Sequence, residues 1–185
     1  PTYQGYANDP SDIINALHEK GFSVLVDEAH GSHLAAAIDL DLPPSSLYCG
    51  ADLVVHSLHK SAAGLAQTAV LWLKGTRVDR ERIERCLGWL QTTSPSALLL
   101  ASCESAVKQL SNPRGKRNLA NRINEARLIK SRLIQSGVPL IETQDPLRIV
   151  LHTGSAGISG IDADTWFMKN GLIAELPEPG TLTFC

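Results

Sequence analysis

The sequence predicts an α/β protein with largely parallel strands, and three short apolar runs are the main reason. The runs cover residues 22–26, 53–56 and 69–73. A short continuous apolar run is typical of a strand that is buried on both faces. Because longer segments separate the runs, we expect parallel strands joined by crossovers. A change of composition after residue 137 predicts a second, smaller α+β unit.

Capping residues and apolar positions at helical spacing predict the first helix. It begins near Pro10, has Ile13, Ile14 and Leu17 as its apolar stripe, and ends at Gly21. Three later segments also have helical spacing. One helix starts at residue 79, the next starts after residues 94–95 and is broken at 112–113, and the last covers about 116–135.

The second unit is predicted as a strand, a short capped helix and another strand. These elements cover residues 147–153, 160–171 and 172–176. We expect the domain boundary between residues 137 and 145. The predicted domains are residues 1–140, the later half of a larger domain, and residues 141–185, the start of a smaller one.

Composition and charge narrow the class of protein. The chain has 185 residues, of which 43% are hydrophobic and 19% charged, as in an ordinary soluble globular protein. A net charge of -2 provides no general attraction to nucleic acid or to an anionic membrane. No apolar run approaches the ~20 residues that span a bilayer. We therefore expect neither a nucleic-acid partner nor a membrane partner.

Four dispersed cysteines do not resemble a disulfide framework, so we expect reduced thiols in a cytoplasmic protein. The sequence starts at Pro1 without a methionine and stops within a strand-like segment. We expect it to be an internal fragment of a longer polypeptide.

Polar side chains lie at the ends of the three apolar runs, and in open α/β sheets ligands bind at the carboxyl ends of strands. They are Asp27, Glu28, His30 and His33 after the first run, Ser57, His59 and Lys60 after the second, and Gln67 before the third.

The segment Asp27-Glu28-Ala29-His30 has the letters D-E-A-H of a helicase motor. Such a motor needs a G-x-x-x-x-G-K-[ST] loop for phosphate, which the chain lacks, although that loop would lie upstream. A later S-A-T-like segment, which should lie within these residues, is also missing. A zinc site built from Asp27 and two H-x-x-H pairs is a weaker alternative, because neither pair has a clear helical context. The pairs are His30 with His33 and His56 with His59. We expect no metal.

Pyridoxal phosphate (PLP) gives each polar residue type a role. This cofactor needs a lysine for its Schiff base, an anion for its ring nitrogen, and donors for its phosphate. Lys60 supplies the amine and Asp27 the anion, while Ser57 and His59 can reach a phosphate. Ala29 is small enough for a ring to lie against the backbone.

Three segments carry a specific resemblance to a known family. They are VHSLHKSAAGLAQTA at 55–69, DEAHGSH at 27–33 and TTSPSALLLAS at 92–102. In this order and spacing the chain resembles the Orn/Lys/Arg decarboxylases, which are fold-type-I PLP enzymes. The resemblance implies a three-layer α/β/α fold with a mostly parallel sheet, as in the aspartate aminotransferase-like major domain, followed by the start of a small C-terminal α+β domain.

The resemblance also implies roles for individual residues. Lys60 would form the Schiff base, Asp27 would pair with the ring nitrogen, Ala29 would pack on the ring, and Ser57 and His59 would bind the phosphate.

Two further roles are implied by the same resemblance. Thr92 would reach the phosphate bound to a neighbouring subunit, so that a homodimer shares its sites. His30 would lie near the cofactor or the substrate. Glu28 and His33 receive no role, because an exposed strand-end carboxylate and a loop-packing histidine explain them equally well.

The implied function is decarboxylation of arginine, lysine or ornithine to the corresponding amine. Alternatives remain open at this point, namely another fold-type-I PLP enzyme such as an aminotransferase, desulfurase or aldolase, a helicase fragment, and a catalytically silent relic. The segment by itself is expected to bind PLP weakly and not to turn over.

Overall fold

The structure is a computed structural model that describes residues 1–37 and 40–185. The chain divides into two compact units. The first consists of Pro1 and Asn8–Leu119, and the second of Thr2–Ala7 and Ala120–Cys185. None of the described helices combines the length and the apolar character that a membrane crossing requires.

The first unit contains three strands and most of the helices. In chain order these are α1 (Ser11–Glu19), β1 (Leu25–Asp27), β2 (Leu53–Ser57), α2 (Leu58–Ser61), β3 (Ala69–Leu73), α3 (Arg80–Leu90) and α4 (Ala97–Ser111). A 3₁₀ turn, Leu34–Ala36, lies between β1 and β2. Helix α5 (Pro113–Gln135) begins in the first unit and continues into the second.

The three strands form one sheet in the order β1-β2-β3. β1 and β2 are parallel, as predicted. β2 and β3 are antiparallel, so the prediction that the third strand is parallel was wrong. The physical reason is the link at residues 58–68. It holds only the one-turn helix α2 and a tight loop, and the Leu58 amide donates to the Thr68 carbonyl at 3.0 Å. This bond closes a chain reversal, so β3 starts beside the end of β2.

Helix α1 covers one face of this sheet. Ile14 is 1% exposed and packs in a core with Val24 and Val54, whereas Ile13 is 63% exposed. The predicted stripe was therefore wrong at Ile13, because consecutive helix positions point about 100° apart. Leu17 packs against the same core, as predicted.

The later helix boundaries follow from their caps. Ser96 Oγ accepts from the Leu99 amide at 3.4 Å and begins α4. Asn112 Oδ1 accepts from the Gly115 amide at 2.8 Å, and Pro113 is the first residue of α5. Helix α5 thus starts three residues before the predicted 116, since proline is well suited to the first helical position.

β1 differs from its prediction in burial and length. It begins at Leu25 rather than at residue 22, and both Phe22 and Leu25 are more than half exposed. The prediction that this first strand is buried on both faces was therefore wrong. β1 lies at the edge of the sheet, and within residues 1–37 and 40–185 it pairs with β2 alone.

The second unit is a four-stranded antiparallel sheet with one further helix. Its strands are β4 (Leu140–Ile141), β5 (Ile149–Leu151), β6 (Leu176–Pro177) and β7 (Leu182–Phe184), in the order β4-β5-β7-β6, and its helix is α6 (Gly160–Lys169). β5 and α6 match their predictions. The strand predicted at 172–176 was wrong except at its last residue, and Ile173 within it is 82% exposed.

Candidate active site

The carboxyl ends of the parallel strands β1 and β2 lie side by side. Asp27 is in register with Val55, and the Glu28 amide donates to the Val55 carbonyl at 3.0 Å. The ladder continues one step beyond β1, because the Ser57 amide donates to the Ala29 carbonyl at 3.3 Å. The polar segments that follow the first two apolar runs are therefore neighbours in space.

Asp27 is exposed at this edge, and its carboxylate is held by a local turn. Its Oδ1 accepts from the Ala29 amide at 3.0 Å. Aspartate commonly bonds to the backbone two residues ahead in this way. The bond orients the carboxylate while leaving it in contact with solvent.

Lys60 lies on α2, directly after β2, and reaches back to the β1 side. Its Nζ is 3.2 Å from Nε2 of His30. An ammonium group has only donors, so Nε2 of His30 accepts in this contact. The segment that carries His30 is also tied to α2, because the Ser32 amide donates to Ser61 Oγ at 3.2 Å.

Ser57 and His59 flank Leu58 at the turn from β2 into α2. Ser57 is buried at the strand end, and its carbonyl accepts from Ser32 Oγ at 3.4 Å. Nδ1 of His59 donates to the Thr68 carbonyl at 2.9 Å. Because a carbonyl accepts only, that nitrogen carries the proton, and Nε2 can donate to an anion only when the ring is protonated.

The loop after Lys60 is tightly built. Ala63 and Gln67 adopt φ angles of 56° and 74°, in the left-handed region that non-glycine residues rarely occupy. A Cβ atom on Gly64 would lie 2.4 Å from Thr68 Oγ1, so only glycine fits there without a shift. Strained backbone of this kind persists where the surroundings hold it, and it clusters at functional sites.

Thr92 lies apart from this group in sequence and in its local contacts. It is exposed in the segment between α3 and α4, and its Oγ1 accepts from the Ser94 amide at 3.2 Å. The other six predicted residues, Asp27, Ala29, His30, Ser57, His59 and Lys60, all belong to the two adjoining strand ends.

The structural role of Glu28 was not predicted from the sequence. It is 2% exposed, so the interpretation of Glu28 as an exposed strand-end carboxylate was wrong. It accepts from Ser45 Oγ at 2.6 Å, from the Ser46 amide at 3.1 Å and from Nε2 of His56 at 2.8 Å. Burial raises the pKa of Glu28, but these hydrogen bonds outweigh burial and hold the pKa below its usual value.

His56 extends this network to the third strand. It is 1% exposed, and its Nδ1 accepts from the indole Nε1 of Trp72 at 3.0 Å. Both of its ring nitrogens are therefore occupied by protein groups. Among the residues that the structure describes, no three His, Cys, Asp or Glu side chains are grouped to hold a metal ion. His33, the other residue without a role, is buried at the start of the 3₁₀ turn.

The donor set at the strand ends fits PLP. An amine, an exposed carboxylate and an imidazole that can become a cation are presented together by Lys60, Asp27 and His59. These are the groups that a pyridine aldehyde with a phosphate arm requires. Ala29, whose amide donates to Asp27 Oδ1, adds a small side chain at the same strand end.

Comparison with known proteins decides the family. Residues 1–175 match the family described as Orn/Lys/Arg decarboxylase, major domain. The chain belongs to this family. The resemblance stated from the sequence is thus confirmed, and Orn/Lys/Arg decarboxylases use PLP.

Two relatives of the chain are arginine decarboxylases of bacilli. The protein of Bacillus subtilis (strain 168) is 32% identical over 181 residues, which are 92% of this chain and 36% of that protein. The protein of Bacillus anthracis is 33% identical over 180 residues, which are 91% of this chain and 36% of that protein. The chain therefore spans about a third of the length of these relatives.

A solved structure shows the same fold. The constitutive lysine decarboxylase of Escherichia coli superimposes with a TM-score of 0.78 at 19% sequence identity, covering 99% of this chain and 32% of that one. The mixed α/β architecture of the chain is thus that of an Orn/Lys/Arg decarboxylase.

Membership in the Orn/Lys/Arg decarboxylase family also accounts for the letters D-E-A-H. A helicase would present Glu28 to water and a metal ion. In this chain Glu28 is buried against His56 and the turn at Ser45, while Asp27 is the carboxylate that faces solvent.

Proposed function

We propose that the protein containing this chain is a PLP-dependent decarboxylase of a basic amino acid, namely arginine, lysine or ornithine. One observation carries the proposal. The Lys60 amine contacts His30 at the same sheet edge where the Asp27 carboxylate is exposed. Arginine is the first substrate to test, because the two bacillus relatives are named arginine decarboxylases.

Each residue of the site has a defined task in this proposal. When bound, PLP supplies an electron sink for the pair released as carbon dioxide leaves. Lys60 holds the cofactor covalently. Asp27, as an anion, keeps a proton on the ring nitrogen. Ser57 and a protonated His59 hold the phosphate, and Ala29 allows the ring to lie close to the backbone.

His30 is the residue best placed to exchange a proton with Lys60. Its Nε2 accepts from the Lys60 Nζ at 3.2 Å, which is within the reach over which a proton can be exchanged. We propose that His30 holds the Lys60 amine in position and lies beside the reacting carbon of the substrate.

The homodimer is proposed from the surface around Thr92. Four large apolar side chains that are near Thr92 in sequence are more than half exposed, namely Trp89, Leu90, Leu98 and Leu100. An exposed apolar patch of this kind marks an interaction site. A second copy of the protein would cover the patch and bring Thr92 to the phosphate of the neighbouring site.

We also propose that the three-stranded sheet is one part of a larger, mostly parallel sheet in a three-layer α/β/α domain. The exposed edge of β1 and the exposed side chain of Leu25 support this, since further strands and helices would cover them. Residues 1–140 would belong to that domain, and residues 141–185 to the start of a small C-terminal α+β domain. Four free cysteines suit a cytoplasmic location.

The test uses the full-length protein. Borohydride reduction followed by peptide mapping should find the cofactor mass on Lys60, and incubation with arginine, lysine and ornithine should release carbon dioxide and the matching amine. The Lys60→Ala variant should lose both signals. Transfer of the amino group to a keto acid without carbon dioxide release would favour another fold-type-I PLP enzyme, with the same Lys60 and Asp27. A cofactor attached to a different lysine would refute the assignment of Lys60.

A further inference from the structure

A continuous hydrogen-bonded chain crosses all three strands of the first unit, and none of its members belongs to the proposed site. Glu28 accepts from Nε2 of His56 at 2.8 Å, and Nδ1 of His56 accepts from Nε1 of Trp72 at 3.0 Å. Glu28 follows β1, His56 lies in β2 and Trp72 lies in β3. The chain thus joins the residue that directly follows β1 to one side chain of β2 and one of β3.

This chain lies on the face of the sheet opposite to the cofactor residues. Successive side chains of a strand point to opposite faces. Asp27 and Ser57 are the sequence neighbours of Glu28 and His56, so each pair divides between the two faces. Burial agrees for the first pair, because Glu28 is 2% exposed whereas Asp27 is exposed, and the division of the second pair rests on strand alternation alone, since both His56 and Ser57 are buried.

The donor and acceptor types fix the protonation of the chain. An indole N–H only donates, so Nδ1 of His56 has no proton and Nε2 must carry one. Nε2 then donates to Glu28. The hydrogen bonds to Glu28 keep the pKa of this carboxyl below its usual value, so it accepts as an anion. His56 is held as one neutral tautomer between two partners.

The chain also anchors a segment that approaches from outside the sheet. Ser45 Oγ and the Ser46 amide donate to the same Glu28 carboxylate, at 2.6 Å and 3.1 Å. A buried network whose donors and acceptors are all satisfied allows one arrangement of the groups it joins. Here it fixes the end of β1 against the end of β2.

We propose that Glu28, His56 and Trp72 are positioning residues that hold the Asp27 strand end and the Ser57–Lys60 turn in a fixed relation to each other. This inference rests on the proposed function, because the quantity being set is the placement of Asp27 and Lys60 around one cofactor. Removing any link lets the two strand ends shift, and a shift of about 1 Å in a site lowers turnover about a hundredfold.

Four substitutions at three positions of the full-length protein test the chain with little change in volume. Trp72→Phe keeps an aromatic ring and removes the N–H. Glu28→Gln keeps the shape and removes the charge. His56→Gln keeps an N–H that can reach Glu28, whereas His56→Leu does not. Trp166→Phe is the matched control, because Trp166 lies on α6 and is 61% exposed.

Two readouts other than activity report positioning. Visible circular dichroism of the bound cofactor reports its asymmetric placement, and ¹⁵N NMR of histidine-labelled, cofactor-free protein reports the tautomer of His56. We expect an Nε2-protonated His56 in the wild type and in Trp166→Phe. Trp72→Phe should keep the proton on Nε2, because Glu28 still accepts it, but should shift the Nδ1 resonance, since the donor to Nδ1 is gone.

The kinetic and dichroism results are expected to change together. Trp72→Phe and Glu28→Gln should keep the cofactor on Lys60, lower kcat by about tenfold to a hundredfold with KM changed less, and alter the dichroism. His56→Gln should recover more turnover than His56→Leu. If a variant fails to fold, the remaining variants and the wild-type tautomer carry the test.

Folded variants with unchanged kcat and dichroism would overturn the positioning role. A loss of thermal stability with unaltered dichroism would also overturn it, because the chain would then serve packing alone. An Nδ1-protonated His56 in the wild type would contradict the geometry itself. A wild-type protein without cofactor on Lys60 would instead defeat the proposed function.

Discussion

Lys60 Nζ lies 3.2 Å from Nε2 of His30, although the two residues follow different strands. The parallel pairing of β1 and β2 brings them together, since it places both strand ends at one edge of the sheet. If the proposed function holds, this contact is the most sensitive point for substitution.

We expect His30→Phe to lower kcat of the full-length protein about a hundredfold or more, because general acid–base groups contribute factors of that size. Cofactor should stay attached to Lys60, as measured by borohydride trapping. His152→Phe is the control, since His152 is an exposed residue of the second unit. Unchanged turnover in His30→Phe would remove His30 from the site.

The buried carboxylate of Glu28 predicts a pH dependence of stability. Its folded-state pKa is lowered, so its contribution is complete above its unfolded pKa of about 4.3 and is lost as the pH falls through the folded value. Urea unfolding from neutral pH down to about pH 3 should show this loss in the wild type. Glu28→Gln should lack this part of the acid sensitivity, whereas the exposed Glu19→Gln should retain it. A wild-type profile that matches Glu28→Gln would contradict the assignment.

Ile13 and Ile14 provide a matched pair for the core. Ile14→Ala should lower the free energy of unfolding by about 2–5 kcal/mol, because it leaves a cavity next to Val24 and Val54. Ile13→Ala should change it by no more than about 0.5 kcal/mol, since Ile13 is 63% exposed. Urea denaturation followed by tryptophan fluorescence measures both. Equal effects would mean that α1 packs by a different face.

Glycines in two settings test the loop after Lys60. Gly64→Ala should destabilise the protein by about 1–3 kcal/mol, because its Cβ would lie 2.4 Å from Thr68 Oγ1. Gly88→Ala, in the last turn of α3 with open space around it, should stabilise the protein by about 0.5–1 kcal/mol. Thermal unfolding of both variants distinguishes these opposite signs, and a stabilised Gly64→Ala would show that the loop is looser than described.

The apolar patch around Thr92 predicts a subunit interface. Leu90→Lys should raise the dimer dissociation constant at least about thirtyfold, equivalent to about 2 kcal/mol, because it buries an unpaired charge. Analytical ultracentrifugation of the full-length protein measures this, with the exposed Ile13→Lys on α1 as control. A dimer of undiminished strength would place the interface elsewhere.

The sequence predicted the residues at the strand ends but not how the sheet is completed. Apolar runs located β1, β2 and β3, and the residue types of Asp27 and Lys60 suited one cofactor. The direction of β3 could not be read, because it depends on the Leu58–Thr68 bond that closes the chain reversal. The bond joins two backbone groups, so the identities of Leu58 and Thr68 do not predict it.

Glu28 shows a second limit. Asp27 and Glu28 are chemically similar neighbours, and only the pleat of β1 decides which one faces solvent. The orientation of His56 could be partly predicted, because consecutive strand residues such as His56 and Ser57 point to opposite faces. Its partners, Glu28 and Trp72, come from strands whose register the sequence does not specify.

The alternation of side chains along β1 and β2 has a practical consequence for protein engineering. Under the proposed function, residues on the face of Asp27 and Ser57 can be exchanged to alter what is bound, while Glu28, His56 and Trp72 are left unchanged so that the strands stay aligned from the other face. Reaction chemistry and scaffold geometry can then be varied as separate libraries within the same few residues.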